Sequence, residues 1–361
     1  MYQPKFTITS SIAKSLMRIE ASKQSVTDLP ITPQVLASLR ETARLQSTHY
    51  STMIEGNRLA DEEVRQVIQK EEHISGKERD IREVKGYFTA LSEVERLAKH
   101  SYPTEEQIQK LHALVEGAGA RQVKPSSYRA EQNVIRDSLS GSIVYLPPEA
   151  HDVPGLMLDL FAWIKVSGQD ALPVPLRAAI AHYQYVTIHP YLDGNGRTAR
   201  LLTTLIAHQG GYGLKGVFSL EEYYARDLQN YYDALALGLS HNYYFGRHEA
   251  DITPWVDYFC TGMADSFESI KRQAQKASNQ GQNDQSNVLR ELDARKRQVL
   301  ELFVKSRDIT TLDIAGLFQI SPRAARKWCQ KWVNDNFFVV SDPAQKNRKY
   351  RLAPKFETIV T

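Results

Sequence analysis

The sequence predicts a mainly α-helical protein with a small β-hairpin near its middle and a second, C-terminal domain that ends in a basic hairpin. Three observations carry that reading. Apolar residues recur at helical spacing in segment after segment of the 361 residues. Two β-rich runs, Val134–Ile135 and Ile143–Val144–Tyr145, flank Asp137-Ser138-Leu139-Ser140-Gly141, a Gly-containing hairpin loop. A polar stretch poor in apolar residues, Lys276 to Asn287 (KASNQGQNDQSN), separates the long helical part from a shorter one.

Length allows two or three domains, and 42% hydrophobic with 24% charged residues is the balance of a globular protein. A net charge of +3 is too small to imply a nucleic-acid or membrane partner by itself. The two cysteines, Cys260 and Cys329, lie far apart and match neither a zinc pattern nor a disulfide framework, so both read as reduced thiols. No apolar run approaches the ~18 residues of a membrane span, and MYQPKFTITS lacks a basic segment followed by an apolar core. A cytoplasmic setting without a membrane partner is therefore expected.

Residues 1–30 mix extended and helical signals. Thr32-Pro33 reads as the cap and first turn of a helix carrying Val35, Leu36 and Leu39 that continues to Tyr50. It leads into Ser51-Thr52-Met53-Ile54-Glu55-Gly56-Asn57, where Ser51 and Glu55 are i and i+4 and Gly56 ends the helix. A glutamate in such a last turn is usually a solvated surface group. Residues 61–116 are helical by pattern: Asp61 caps EEVRQVIQKE, a later segment carries Ile81, Val84, Phe88 and Leu91, and Pro103-Thr104 starts a helix with Ile108, Leu111 and Leu114. Beyond the hairpin, Pro175 to Ile188 is a further helix, Glu221 to Leu239 a tyrosine-rich one, and Ile252 to Phe267 another.

The chemistry is concentrated in His189-Pro190-Tyr191-Leu192-Asp193-Gly194-Asn195-Gly196-Arg197-Thr198-Ala199-Arg200. Pro190 breaks the preceding helix, and Arg197 to His208 (RTARLLTTLIAH) is rich in helix formers. The stretch is thus a loop running into a helix N-terminus, where unpaired N–H groups and the dipole favour an anion. Gly194 and Gly196 let the backbone approach a phosphate with no Cβ in the way. Arg197 and Arg200, i and i+3, share a helix face and can grip neighbouring phosphates. Asp193 is an oxygen ligand suited to Mg²⁺. His189 has an ordinary pKa near neutrality, which suits a base that accepts a proton from a hydroxyl.

This string resembles the signature of Fic domains, HPFxDGNGRxxR, at every defined position except that Tyr191 stands where Phe is usual. The resemblance implies a Fic helical bundle that transfers AMP from ATP to a Ser, Thr or Tyr hydroxyl of a target protein, with ATP and Mg²⁺ required. It makes His189 the catalytic base and Asp193 the metal ligand. It assigns the nucleotide to Asp193, Gly194, Asn195, Gly196, Arg197, Thr198, Ala199 and Arg200, with Asn195 and the loop amides on the α-phosphate and the arginines on the terminal phosphates. Tyr231 and Tyr232 match a tyrosine pair that in Fic proteins sits by the adenine. Leu239 takes the place of a base-reading asparagine, with Asn242 as substitute. Tyr191 anchors the loop in the core, and its hydroxyl needs a partner there.

Ser51 to Gly56 also resembles the family's inhibitory motif, and its upstream place marks the N-terminally inhibited class, in which the glutamate, here Glu55, pairs with the second motif arginine, here Arg200. An arginine held by Glu55 cannot also hold the γ-phosphate. The hairpin residues Ile143, Val144 and Tyr145 become the flap that lines up the target segment by edge pairing.

After the polar stretch, Leu289 to Val304 reads as a helix and Thr310-Thr311 caps a second. Gln319 to Pro322 forms a turn, and RAARKWCQKWV is a basic helix buried through Ala324, Trp328 and Val333. Phe337 to Val340 and Tyr350 to Leu352 are short β runs around DPAQKNRK. This order resembles a winged helix-turn-helix domain, with Arg323, Arg326, Lys327 and Lys331 as the DNA contacts it implies. A protein-docking role for that domain stays open. The expected division is an N-terminal helical region 1–100, a catalytic domain 101–275, a linker 276–288 and a winged domain 289–361. The competing function is a DNA-binding transcriptional regulator with a nucleotide-sensing site. Self-modification and a homodimer stay open, with no residue pattern that carries either.

Overall fold

Capping residues and apolar spacing set the element order in the computed structural model of the chain. It describes residues 2–29, 31–136, 141–169, 172–238, 240–280, 292–344, 348–357 and 359–360. In order come α1 (Ser10–Asp28), α2 (Pro33–Ile54), α3 (Asp61–Gln69), α4 (Glu78–Leu97), α5 (Glu105–Glu116), β1 (Ile135–Arg136), β2 (Ile143–Tyr145) and α6 (Val153–Gln169). There follow α7 (Val174–Ile188), α8 (Asn195–Gln209), α9 (Glu221–Arg226), α10 (Leu228–Leu235) and α11 (Thr253–Gln280). The remainder is α12 (Ala294–Lys305), β3 (Ile309–Thr310), α13 (Thr311–Phe318), α14 (Pro322–Asn334), β4 (Phe338–Asp342), β5 (Lys349–Leu352) and α15 (Pro354–Glu357). The chain divides into two compact units, one of residues 1–24 and 41–270, the other of 25–40 and 271–361.

The first unit is built around α7 and α8, which pack on each other, with α6 against α7 and with α4 and α5 against α8. Almost every residue of both central helices is buried; α7 is apolar nearly all round, as a helix enclosed on all sides requires, whereas α8 also buries Asn195, Arg197 and Arg200 of the motif. Thr104 opens α5 with a capping box to Gln107. Gly86, in the interior of α4, lets that helix meet α5, because a Cβ there would lie 2.1 Å from the Val115 carbonyl oxygen. A mid-helix glycine costs about 1 kcal/mol against alanine, and the close seating it permits offsets that. Trp255 of α11 donates its indole N–H to the Ala179 carbonyl of α7 at 2.7 Å. The flap is an antiparallel pair with Ile135 opposite Tyr145 and Arg136 opposite Ile143. The rest of the loop read as its turn, Asp137 to Ser140, lies outside the described residues.

In the second unit a three-stranded antiparallel sheet in the order β3-β5-β4 packs with α12, α13 and α14 around Val299, Leu300, Ile314 and Trp332. Thr310 caps α13 with a box to Asp313, and Ser321 with Pro322 opens α14.

Helix α1 fills most of residues 1–30, where extended and helical signals mix. Three sequence readings are corrected by this structure. The tyrosine-rich run is two helices, broken at Asp227, whose side chain accepts from the Asn230 N–H and caps α10. Helix α11 continues to Gln280, past the expected linker start at Lys276, and 281–288 lie outside the described residues. Finally, α14 buries Ala325, Cys329 and Trp332, while Ala324, Trp328 and Val333 are only partly buried.

Candidate active site

Helix α7 ends at His189, which takes the left-handed conformation with φ 52° immediately before Pro190. A non-glycine residue there is strained, so the surroundings must hold it. Arg129 does much of the holding. Its Nε–H donates to the His189 carbonyl at 2.9 Å and its Nη1 to the Glu131 carbonyl at 3.0 Å, while Nη2 donates to the Pro148 carbonyl. Its own backbone N–H donates to the Pro190 carbonyl at 3.0 Å. Asn195 clamps the turn from the other side, accepting from the Tyr191 N–H at 2.9 Å and donating to the Tyr191 carbonyl at 2.8 Å.

The His189 ring is fixed by Nδ1, 3.2 Å from the Val186 carbonyl. A carbonyl only accepts, so Nδ1 carries the proton and Nε2 keeps its lone pair. Burial pushes the His189 pKa down to about 4, more than Glu55 and the Val186 carbonyl raise it. The ring is therefore neutral at physiological pH with a wider margin than its ordinary pKa gives.

His112 of α5 stacks on Tyr191 with centroids 3.5 Å apart, and its Nε2–H donates to the Asp193 carbonyl at 3.0 Å. The Asp193 carboxylate accepts from the Gly194 N–H at 2.6 Å and from Arg197 Nη2 at 3.0 Å. Burial opposes its ionisation, yet Arg197 and the Gly194 N–H outweigh this and leave its pKa below the ordinary value. Glu116 lies 3.3 Å from the same Arg197 nitrogen, and burial raises its pKa.

Arg200 is fully enclosed on α8. Its Nε donates to Ser51 Oγ, and its Nη2 to both the Ser51 carbonyl and Glu55 Oε1, each at 2.8 Å. Burial works against the guanidinium charge, and the Glu55 carboxylate more than restores it, so its pKa is raised. Gly56, at φ +88°, turns the chain just after α2 and leaves Glu55 above the motif. A Cβ on Gly196 would lie 2.3 Å from Glu55 Oε1, so the carboxylate rests directly over the turn. Arg200 Nη1 and Arg197 Nε are buried with no hydrogen-bond partner among the described residues. Leaving such donors unmet costs about 1–3 kcal/mol each, a deficit that an incoming acceptor would relieve.

The structure gathers His189, Asp193, the two glycines, both arginines, Ser51, Glu55 and Gly56 at the N-terminus of α8. The other expected site residues are placed as follows. Thr198 and Ala199 turn into the core, and both polar atoms of the Asn195 amide serve the Tyr191 backbone, so these side chains shape the turn. Tyr231 is buried, its hydroxyl donating to His182 Nε2 at 3.1 Å. Tyr232 stays 45% exposed, its hydroxyl donating to the Ile54 carbonyl beside Glu55. Asn242 spends its side-chain oxygen on the Tyr244 N–H, and Leu239 lies outside the described residues. In the flap, Ile143 and Val144 are exposed, whereas Tyr145 is buried and donates to the Thr187 carbonyl at 2.6 Å, two residues before His189. Sequence reasoning missed Arg129 and His112. Only His112 left a signal, as a polar residue four places after Ile108 on an apolar helix face.

Among the described residues no cluster of three or more His, Cys, Asp or Glu could hold a metal ion. Mg²⁺ needs less, since one or two carboxylates with phosphate oxygens and water commonly suffice. Asp193 fits that modest requirement: its side chain is 68% exposed, and Oδ1 takes the internal hydrogen bonds, which leaves Oδ2 for a cation.

The family model for Fic/DOC matches residues 102–207, which span the flap and the whole motif. Among solved structures, the fold resembles a Fic family protein from Desulfovibrio desulfuricans G20, with TM-score 0.60 and 22% identity over 98% of this chain and 99% of that one. It also resembles Fic-1 from C. elegans, with TM-score 0.57 and 24% identity over 75% and 73% of the two chains. The fold is thus a Fic-like helical one. Two curated relatives, from Aedes aegypti and Nematostella vectensis, are both named protein adenylyltransferase Fic. The first is 27% identical over 69% of this chain, the second 28% over 55%. The chain covers less than half of their length, 46% and 45%.

Proposed function

We propose that this protein is a nucleotidyltransferase that moves AMP from ATP to a hydroxyl side chain of a target protein, and that Glu55 restrains it. The observation that carries this reading is the meeting of a neutral imidazole, with Nε2 available, and two buried arginines at one helix N-terminus. A target Ser, Thr or Tyr oxygen attacks the α-phosphorus while its proton passes to His189 Nε2. The bond between the α-phosphorus and the bridging oxygen breaks, and pyrophosphate leaves with the electron pair. The product is an AMP phosphodiester on the target.

The N–H groups at the start of α8 suit the α-phosphate, and Arg197 and Arg200 suit the terminal phosphates. Asp193 would hold Mg²⁺, which when bound neutralises charge on the phosphates. A triphosphate beside His189 raises the pKa of the imidazole from its low resting value toward the working pH, which makes it a better base at the moment of use. Glu55 competes for Arg200 and places a negative charge over the turn, so nucleotide that enters takes a pose unsuited to in-line attack. The exposed Ile143 and Val144 suit a target strand added to the flap edge, and Tyr232 suits the adenine rim.

Incubation with α-phosphate-labelled ATP and Mg²⁺ tests this in wild type, Glu55→Gly and His189→Ala. Labelled protein should increase with Glu55→Gly and vanish with His189→Ala. Labelling that survives His189→Ala removes the base from the scheme. Mass spectrometry of adducts after expressing Glu55→Gly would identify the target and the modified residue.

A second reading concerns the C-terminal unit. Its order of helix, helix, turn, helix and hairpin, with Arg323, Arg326, Lys327 and Lys331 all exposed on α14, favours a winged helix-turn-helix that contacts DNA phosphates. Binding to duplex DNA should weaken linearly with log salt, and Arg326→Ala should lower that slope by about 1. Salt-independent binding would favour a protein partner instead.

A further inference from the structure

The Arg200 guanidinium has a second anchor besides Glu55. Its Nε donates to Ser51 Oγ, so the Ser51 hydroxyl hydrogen must go elsewhere. The Tyr87 hydroxyl of α4 is the neighbouring acceptor: Ser51 acts on the phenol to lower its pKa, although burial holds it well above the ordinary value. Tyr87 in turn donates to Glu221 Oε1 at 2.9 Å. The other Glu221 oxygen accepts from Ser219 Oγ at 2.8 Å and from the Leu220 N–H at 3.0 Å. Every donor in this chain points the same way, from the guanidinium to a carboxylate that accepts three hydrogen bonds. Arg200, Ser51, Tyr87 and Glu221 are all 1% exposed or less, and Glu221 has no ion pair of its own among the described residues.

A buried guanidinium whose partner is removed leaves an uncompensated charge, which is strongly unfavourable in a protein interior. The activation scheme above asks for just that removal, since Glu55 must release Arg200 before the phosphates take it. We propose that Glu221 is a positioning residue, the resident counter-charge of Arg200, which acts through Tyr87 and Ser51 and keeps the guanidinium aligned once Glu55 has let go. Glu55 is then the exchangeable partner and Glu221 the permanent one. The kinetic part of this inference rests on the adenylyl-transfer reading, and the stability part does not.

Two substitutions interrupt the relay while keeping its shape: Tyr87→Phe removes one hydroxyl, and Glu221→Gln removes the charge. In the Glu55→Gly background each should raise KM for ATP about tenfold while kcat changes less than about threefold, because nucleotide binding must now order a misplaced arginine. A Tm cycle over the Glu55 and Glu221 sites should be non-additive. The Glu55→Gly, Glu221→Gln double variant should lose at least about 4 °C more than the two single losses combined, because only there does Arg200 lose both counter-charges. If that double variant does not fold, the cycle is run with Tyr87→Phe. Additive Tm losses, or an unchanged KM in a Glu55→Gly protein that transfers AMP, overturn the proposal. Should Glu55→Gly transfer no AMP at all, the adenylyl-transfer reading fails, and the Tm cycle still decides the relay.

Discussion

The two ends of the 189–200 stretch are held by different kinds of contact. At the His189 end the work is done by backbone carbonyls: Arg129 spans those of His189, Glu131 and Pro148, and His189 itself bonds the Val186 carbonyl. At the Arg200 end a buried guanidinium meets the Glu55 carboxylate, whose side chain is 32% exposed. Carbonyls of packed segments cannot withdraw, whereas a carboxylate on a turn after a helix can rotate into water. His189 is thus fixed by groups that stay in place, and Arg200 is held by a group that can be exchanged. Sites that must be both accurate and regulated gain from keeping these two demands on separate residues.

The sharpest way to break this comparison is at the exchangeable end. Glu55→Gly should raise AMP transfer about 10–100-fold, the range set by one charge-assisted hydrogen bond of about 1.5–3 kcal/mol no longer in competition with substrate. Initial rates of labelled-AMP incorporation measure it, and equal rates would show that Glu55 competes with nothing. At the fixed end, Arg129→Met strips donors from buried carbonyls and should cost about 2–4 kcal/mol in urea unfolding. Arg129→Lys should recover only part, because an ammonium cannot reach all three carbonyls at once.

The fixed end also predicts a pH dependence. Burial, in each case the largest cause, holds His112 at about 4, His182 at about 3 and His189 at about 4. Unfolded histidines titrate near 6.5, so below roughly that pH the unfolded chain binds protons that the folded one refuses. Stability is therefore fully present above pH ~6.5 and falls toward pH 4, by at most about 1.4 kcal/mol per pH unit for each histidine. His182→Gln should flatten that slope by one histidine's share, and an unchanged slope would mean that His182 is not neutral in the fold. The smallest effect concerns Tyr191, whose hydroxyl is buried with no hydrogen-bond partner among the described residues. Tyr191→Phe should leave the loop intact and stabilise it by up to about 1 kcal/mol. A loss of that size would reveal a partner for the hydroxyl.

The 189–200 stretch is legible because its chemistry is contiguous: loop, glycines, arginines and helix start follow one another in sequence. The Glu55–Arg200 meeting joins residues 145 apart in the chain, and only a family resemblance could suggest it. Arg129 was invisible, since it works on backbone carbonyls, which every residue carries. Tyr231 and Tyr232 are neighbours on a helix and point about 100° apart, so Tyr231 lies in the core while Tyr232 stays exposed. Composition alone points to a loop or linker at Lys276 to Gln280, although a helix end can be equally polar. On α14 the buried line runs through Cys329, a weak apolar signal between Trp328 and Gln330, while Trp328 and Val333 pack at its edge.

The missing Cβ at Gly196 closes off one evolutionary escape. On the proposed reading, the clearance that would admit nucleotide phosphate is the one Glu55 fills, so a methyl group at residue 196 would displace the carboxylate and crowd the phosphate together. Under the proposed restraint, a permanently active form is reached from the glutamate side of the contact, with residue 196 kept as glycine.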